Sequence, residues 1–192
     1  GWWGCWVRQA VGGACASPAP AWARVVGEGE SDTAGRATAG QSKKLLGPVT
    51  DGAVLPILEL NGYKISNPTI TARIEHEELE QVFRGCGWTP WFVEGDDPET
   101  MHQLMATATD EVIEEILAIR ERARRGNDTT RPRWPMIVLK SPKGWTGPEI
   151  VDGLQIAGTF RSHQVPLLVN ADHPDNVQLL EAWMKSYRPE EL

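Results

Sequence analysis

Cysteine is scarce in this chain. Only Cys5, Cys15 and Cys86 occur among 192 residues, with neither a Cys-x-x-Cys pair nor Cys/His spacing. An odd number so placed indicates neither a disulfide framework nor a zinc site, and a reducing cytoplasm is the expected compartment. Tyrosine and phenylalanine are also few, two and three, whereas tryptophan reaches nine. Positive charge is in deficit: 19 Lys and Arg against 26 Asp and Glu leave a formal charge of −7. That balance argues against a general nucleic-acid binder or a protein that coats anionic membranes. No apolar run approaches the roughly 20 residues that cross a bilayer. The opening residues lack the basic, apolar and small-residue regions of a signal peptide. What is present is a 41% hydrophobic content, enough for a packed core in one domain or in a large piece of a bigger protein.

The most ordered signal is the stretch from Val54 to Ile65. Val54, Leu55, Ile57, Leu58 and Leu60 make a near-continuous apolar run, as in a strand buried on both faces. Polarity then changes within one residue, to Asn61, Gly62, Tyr63 and Lys64. A buried parallel strand ending in such a loop is where open α/β sheets place ligands. The plainer alternative is that Asn61-Gly62 is only a turn.

Two further strands end similarly. Ala21–Val26 reads as a strand that runs into a loop, Gly27-Glu28-Gly29-Glu30, where glycines on both sides of a carboxylate allow a ligand close to the backbone. A solvated acidic turn is the bland alternative. Pro135–Lys140 reads as a buried strand leading into Ser141-Pro142-Lys143-Gly144-Trp145-Thr146, which presents one lysine from a rigid loop. Such an ammonium suits a phosphate or a developing oxyanion. Arg161, Ser162 and His163 put a cation and an imidazole into one short segment.

Helices intervene. One is expected over Glu75–Arg84, with Leu79, Val82 and Phe83 buried and Gly85 as its stop. A strand over Trp88–Val93 carries Pro90, which favours a sheet edge. A long helix starts at Asp97 as N-cap, with Pro98 next, and repeats Met101, Leu104, Ala108, Val112, Ile116, Ile119 and Ala123 at helical spacing. Its arginines Arg120, Arg122, Arg124 and Arg125 suit the negative end of the dipole. Asp175–Tyr187 reads as an amphipathic helix through Val177, Leu180 and Trp183. A weak helix is considered for Trp6–Cys15, amid Trp2, Trp3 and Trp6. Alternating strands and helices predict an α/β fold with a mostly parallel sheet flanked by helices, in which the three polar loops share one edge. A carboxylate, an amide oxygen and a lysine gathered there suit a metal-bound diphosphate.

The runs DGAVLPILELNGYKISNPT, HEELEQVFRGCGWTPWFVEGDDPE, RPRWPMIVLKSPKGWTGP, VDGL, RSHQVPL and EAWMKSYRPEEL resemble the N-terminal part of the xylulose 5-phosphate/fructose 6-phosphate phosphoketolases. The resemblance covers residues 48–192, as the latter part of that family's thiamine-diphosphate-binding module; residues 1–47, with the GEGE loop, form a divergent segment. It implies a lyase of carbohydrate metabolism that cleaves a ketose phosphate with inorganic phosphate to acetyl phosphate and an aldose phosphate, as a cytoplasmic homo-oligomer. It implies thiamine diphosphate and Mg²⁺ as cofactors, with Glu28, Asn61 and Tyr63 toward the metal. Gly27, Gly29, Asn61, Tyr63 and Lys143 would face the cofactor, and His163 and Lys143 would serve catalysis.

Three positions depart from the family. Glu28 stands for its metal-binding aspartate, Gln41 for a histidine, and Glu59 for the histidine of LHLNGYK. Glu28 adds a methylene at a site for an ion that demands near-ideal octahedral geometry. The family's second module, which activates the aminopyrimidine, has no counterpart here, so the isolated chain is expected to be an incomplete fold without turnover. The alternatives are a non-catalytic partial or decayed chain, or a thiamine diphosphate enzyme of transketolase type.

Overall fold

Strand β2, Ala53–Leu60, carries the sheet, and its side chains explain why. Leu55, Pro56, Ile57 and Leu58 are buried in succession, so both faces are covered, as parallel sheets require. In this computed structural model the described residues are 22–28 (backbone only), 44, 46–126, 128 and 130–191. Strand β1, Trp22–Glu28, pairs parallel to β2, with Glu28 beside Glu59. After β2, the short hairpin of β3, Tyr63–Lys64, and β4, Asn67–Pro68, turns through Ile65 at φ 57°.

Helix α1, His76–Gly85, leads into β5, Trp88–Glu94; α2, Pro98–Arg125, returns the chain to β6, Trp134–Lys140. The sheet order is β1-β2-β6-β5, parallel throughout. Pro90 therefore lies on an edge strand, as its missing N–H demands. Pro56 also lacks a donor, and the β2–β6 ladder begins just after it, at Ile57 opposite Ile137. The core gathers Leu55, Ile57, Val93, Val112, Ile116, Ile137 and Val138 between sheet and helices. A second hairpin, β7, Ile150–Val151, with β8, Leu154–Gln155, turns at Asp152-Gly153.

The chain divides into two units, residues 21–166 and residues 1–20 with 167–192. The first holds the sheet. In the second, α3, Asn176–Ser186, is the described helix, and the side-chain amide of Asn176 donates to the Leu168 carbonyl at 2.9 Å. Among the described residues no helix is long and apolar enough to cross a membrane.

Several expectations are corrected. The first strand does not stop at Val26 but runs on through Gly27 and Glu28 as ladder, so the loop begins later. Helix α1 stops at Gly87, φ +86°, and not at Gly85, which is still helical. Val82 is 47% exposed, because α1 lies on edge strand β5 and only the i, i+4 pair Leu79 and Phe83 reaches the core. Leu104 is 44% exposed for a related reason: it flanks the buried stripe of α2, where Met105 packs against the core. Val177 is exposed on α3, with Leu180 and Trp183 half-buried. The helix weighed at Trp6–Cys15, together with Gly29, Glu30 and Gln41, lies outside the described residues.

Candidate functional site

All four strands of the sheet point the same way, so their carboxyl ends form one rim. Register places Glu28 beside Glu59, Leu60 beside Lys140, and Lys140 beside Glu94. Asn61 follows β2 directly and is 9% exposed. Its Oδ1 accepts the Tyr63 N–H at 3.1 Å, which shapes the turn through Gly62 at φ +87°. Asn61-Gly62 is thus a turn, as the plainer reading held, and it also sits at the rim.

Lys143 reaches the same turn. Ser141 N–H donates to the Leu60 carbonyl at 3.2 Å, continuing the β2–β6 register past the strand ends. Two residues later Lys143 is 6% exposed, and its Nζ donates to the Tyr63 carbonyl at 3.3 Å. An ammonium carries three donors, and a buried charge is costly unless its hydrogen bonds are met. With one carbonyl as its hydrogen-bond partner among the described residues, Lys143 has capacity left for an anion.

The loop that carries Lys143 is fastened from several sides. Trp145 Nε1 donates to the Asp96 carbonyl at 2.7 Å, and Gly158 N–H donates to the carbonyl of Lys143 itself at 2.7 Å. His163 ends a 3₁₀ turn, Phe160–His163, and is exposed. Its neighbour Ser162 lies against Gly144, which holds φ +71°. The fold therefore brings Asn61, Tyr63 and Lys143 into direct contact and hangs the His163 turn on the Lys143 loop. It sets Gly27 and Glu28 in the strand next to β2; the Glu28 side chain and Gly29 lie outside the description.

One rim cluster escapes sequence reasoning. His76 Nδ1 lies 3.1 Å from Glu94 Oε1, and Lys140 Nζ lies 3.8 Å from the same oxygen. The His76 ring packs on Phe92 with centroids 4.1 Å apart. These residues come from three elements, and no spacing in the sequence announces them.

For a magnesium diphosphate, the oxygens of Asn61 and of the Tyr63 carbonyl and the buried Lys143 ammonium are the right chemistry. Mg²⁺ takes few protein oxygens and fills its shell with phosphate oxygen and water. Among the described residues no group of three or more His, Cys, Asp or Glu could hold a metal.

Comparison with known proteins identifies the family of the chain. The family model described as the XFP N-terminal domain matches residues 1–192. A probable phosphoketolase of Clostridium acetobutylicum is 62% identical over 168 residues, covering 88% of this chain and 21% of that protein. One from Rhodopirellula baltica is similar to the same extent, 62% over 168 residues, with the same coverages of 88% and 21%. A third, from Gloeobacter violaceus, is 58% identical over 186 residues, covering 97% of this chain and 24% of that protein. The chain thus spans between a fifth and a quarter of the length of these curated relatives.

Proposed function

The chain belongs to the XFP N-terminal domain family, and on that premise we propose that it is the cofactor-facing portion of a phosphoketolase. The activity is cleavage of xylulose 5-phosphate or fructose 6-phosphate by inorganic phosphate to acetyl phosphate and an aldose phosphate. The observation that carries this reading is the buried Lys143 ammonium on the Tyr63 carbonyl, beside Asn61, at the carboxyl rim of a parallel sheet.

Thiamine diphosphate, when bound, supplies the carbon nucleophile and the electron sink for carbon–carbon cleavage. The residues of this chain do the rest. Asn61, the Tyr63 carbonyl and Glu28 would hold Mg²⁺, and the missing side chains of Gly27 and Gly29 would let a diphosphate approach the backbone. Lys143 binds a phosphoryl oxygen from a water-poor position, where its charge acts more strongly than at the surface. His163 takes or returns a proton at a substrate hydroxyl oxygen. Residues 48–192 are the latter part of the diphosphate-binding module, and residues 1–47 are its divergent opening. The complete enzyme works as a homo-oligomer in the cytoplasm.

Calorimetric titration of thiamine diphosphate with Mg²⁺ into the purified chain tests this. Binding is expected. Lys143→Met should weaken it about tenfold or more, the loss of about 1.4 kcal/mol. Glu28→Asp should strengthen it by restoring the shorter carboxylate. No heat at millimolar cofactor from the parent and from Glu28→Asp alike would overturn the reading.

A further inference from the structure

Lys143 and His163 are twenty positions apart, and His163 is exposed, so nothing in its own burial fixes where its ring lies. The fixing comes from its neighbour. A methyl built on Gly144 would stand 2.4 Å from the Ser162 Cβ and 2.9 Å from its Oγ. Ser162 therefore fills the space in which any other residue at 144 would carry its Cβ. Gly144 also holds φ +71°, a conformation glycine adopts without penalty. Ser162 is itself anchored: its Oγ donates to the Thr159 carbonyl at 2.7 Å, and Thr159 Oγ1 accepts the Arg161 N–H at 3.2 Å. A second tie, Gly158 N–H to the Lys143 carbonyl at 2.7 Å, joins the start of the same turn to the lysine's own backbone.

We propose that Ser162 is a positioning residue: seated on Gly144, it holds the His163 turn onto the Lys143 loop, so that one anionic ligand engages the ammonium and the imidazole together. This rests on the reading of Lys143 as an anion site given above. The contact tolerates one methyl-sized group, on either side of it. Moving that group across the contact preserves the fit; adding a second or removing the only one destroys it.

The test uses the full chain, inorganic pyrophosphate with Mg²⁺ as probe, calorimetry for affinity, and the His163 ring protons in NMR, assigned with His163→Gln. The parent should bind pyrophosphate with a shifted His163 resonance. Gly144→Ala should bind at least tenfold more weakly and lose the His163 shift. Ser162→Gly should keep most of the affinity and lose the shift. The double variant Gly144→Ala/Ser162→Gly should regain both, although Ala at a left-handed position remains strained; strain alone would not be relieved by a change at residue 162. If Gly144→Ala does not fold, the comparison of Ser162→Gly with the double variant carries the test. A His163 shift that survives in Ser162→Gly, or a double variant no better than either single one, overturns the proposal while leaving the anion site standing. Absence of any pyrophosphate binding by the parent removes both.

Discussion

Residues placed against their usual preference reveal the most about this chain. Glu115 on α2 is half-buried, and its Oε2 accepts from Trp91 Nε1 at 3.3 Å. Burial raises its pKa above the ordinary 4.5, against the opposing pull of the Trp91 hydrogen bond and of Arg122. The folded chain thus holds this proton more tightly than the unfolded one, and stability falls as pH rises from 4.5 through the folded value. Glu115→Gln should accordingly melt above the parent at neutral pH, and the two should converge in acid below the ordinary carboxylate range; a neutral-pH melting temperature below the parent's would contradict this. Arg120 is 7% exposed, and its Nε is buried without a hydrogen bond among the described residues. Desolvation, with Arg124 nearby, lowers its pKa. Its place at the helix end suited the dipole, but burial adds a cost the dipole does not meet. Arg120→Met should raise the unfolding free energy in urea by about 1 kcal/mol, since an unsatisfied buried polar group costs at least that much. Lys143 shares the burial but has the Tyr63 carbonyl as a hydrogen-bond partner, which Arg120 Nε lacks among the described residues.

At the scale of elements, ends carry the information. Asp97 caps α2 by accepting the Thr100 N–H at 2.8 Å, with Pro98 in the first turn, as the sequence spelled out. Hydrogen bonding to Thr100 lowers the Asp97 pKa below 3.8, so its stabilisation is present above that value and is lost as pH falls through the folded pKa. Asp97→Ala should lower the melting temperature at neutral pH, and the gap should close in strong acid, whereas Asp97→Asn should keep the cap with little pH dependence. Caps and turns are local, which is why the Asp97 cap and the Asn61-Gly62 turn were legible. The extent of β1 was not, because whether Gly27 and Glu28 extend depends on Leu58 and Glu59 lying alongside, some thirty residues on. Val82 and Leu104 looked equivalent to their neighbours in periodicity and differ only in what lies opposite.

For the molecule as a whole, the parallel sheet makes one rim out of segments far apart in sequence. The curated relatives named above are about four times as long as this chain. The purified chain should therefore give no acetyl phosphate from xylulose 5-phosphate and phosphate, trapped as the hydroxamate, even where it binds cofactor. Turnover at rates typical of an enzyme, roughly 1–10³ per second, would refute this expectation.

The sequence by itself determined the alternation of strands and helices, the edge position of β5 through Pro90, and the candidacy of Asn61, Tyr63 and Lys143, because each depends on chemistry within a few residues. Tertiary structure alone decided that Lys143 is buried on the Tyr63 carbonyl, that His76 meets Glu94, and that Ser162 takes the space beside Gly144. Those facts require distant segments to pack, and the free energy of packing depends on which surfaces meet, a quantity no local pattern contains.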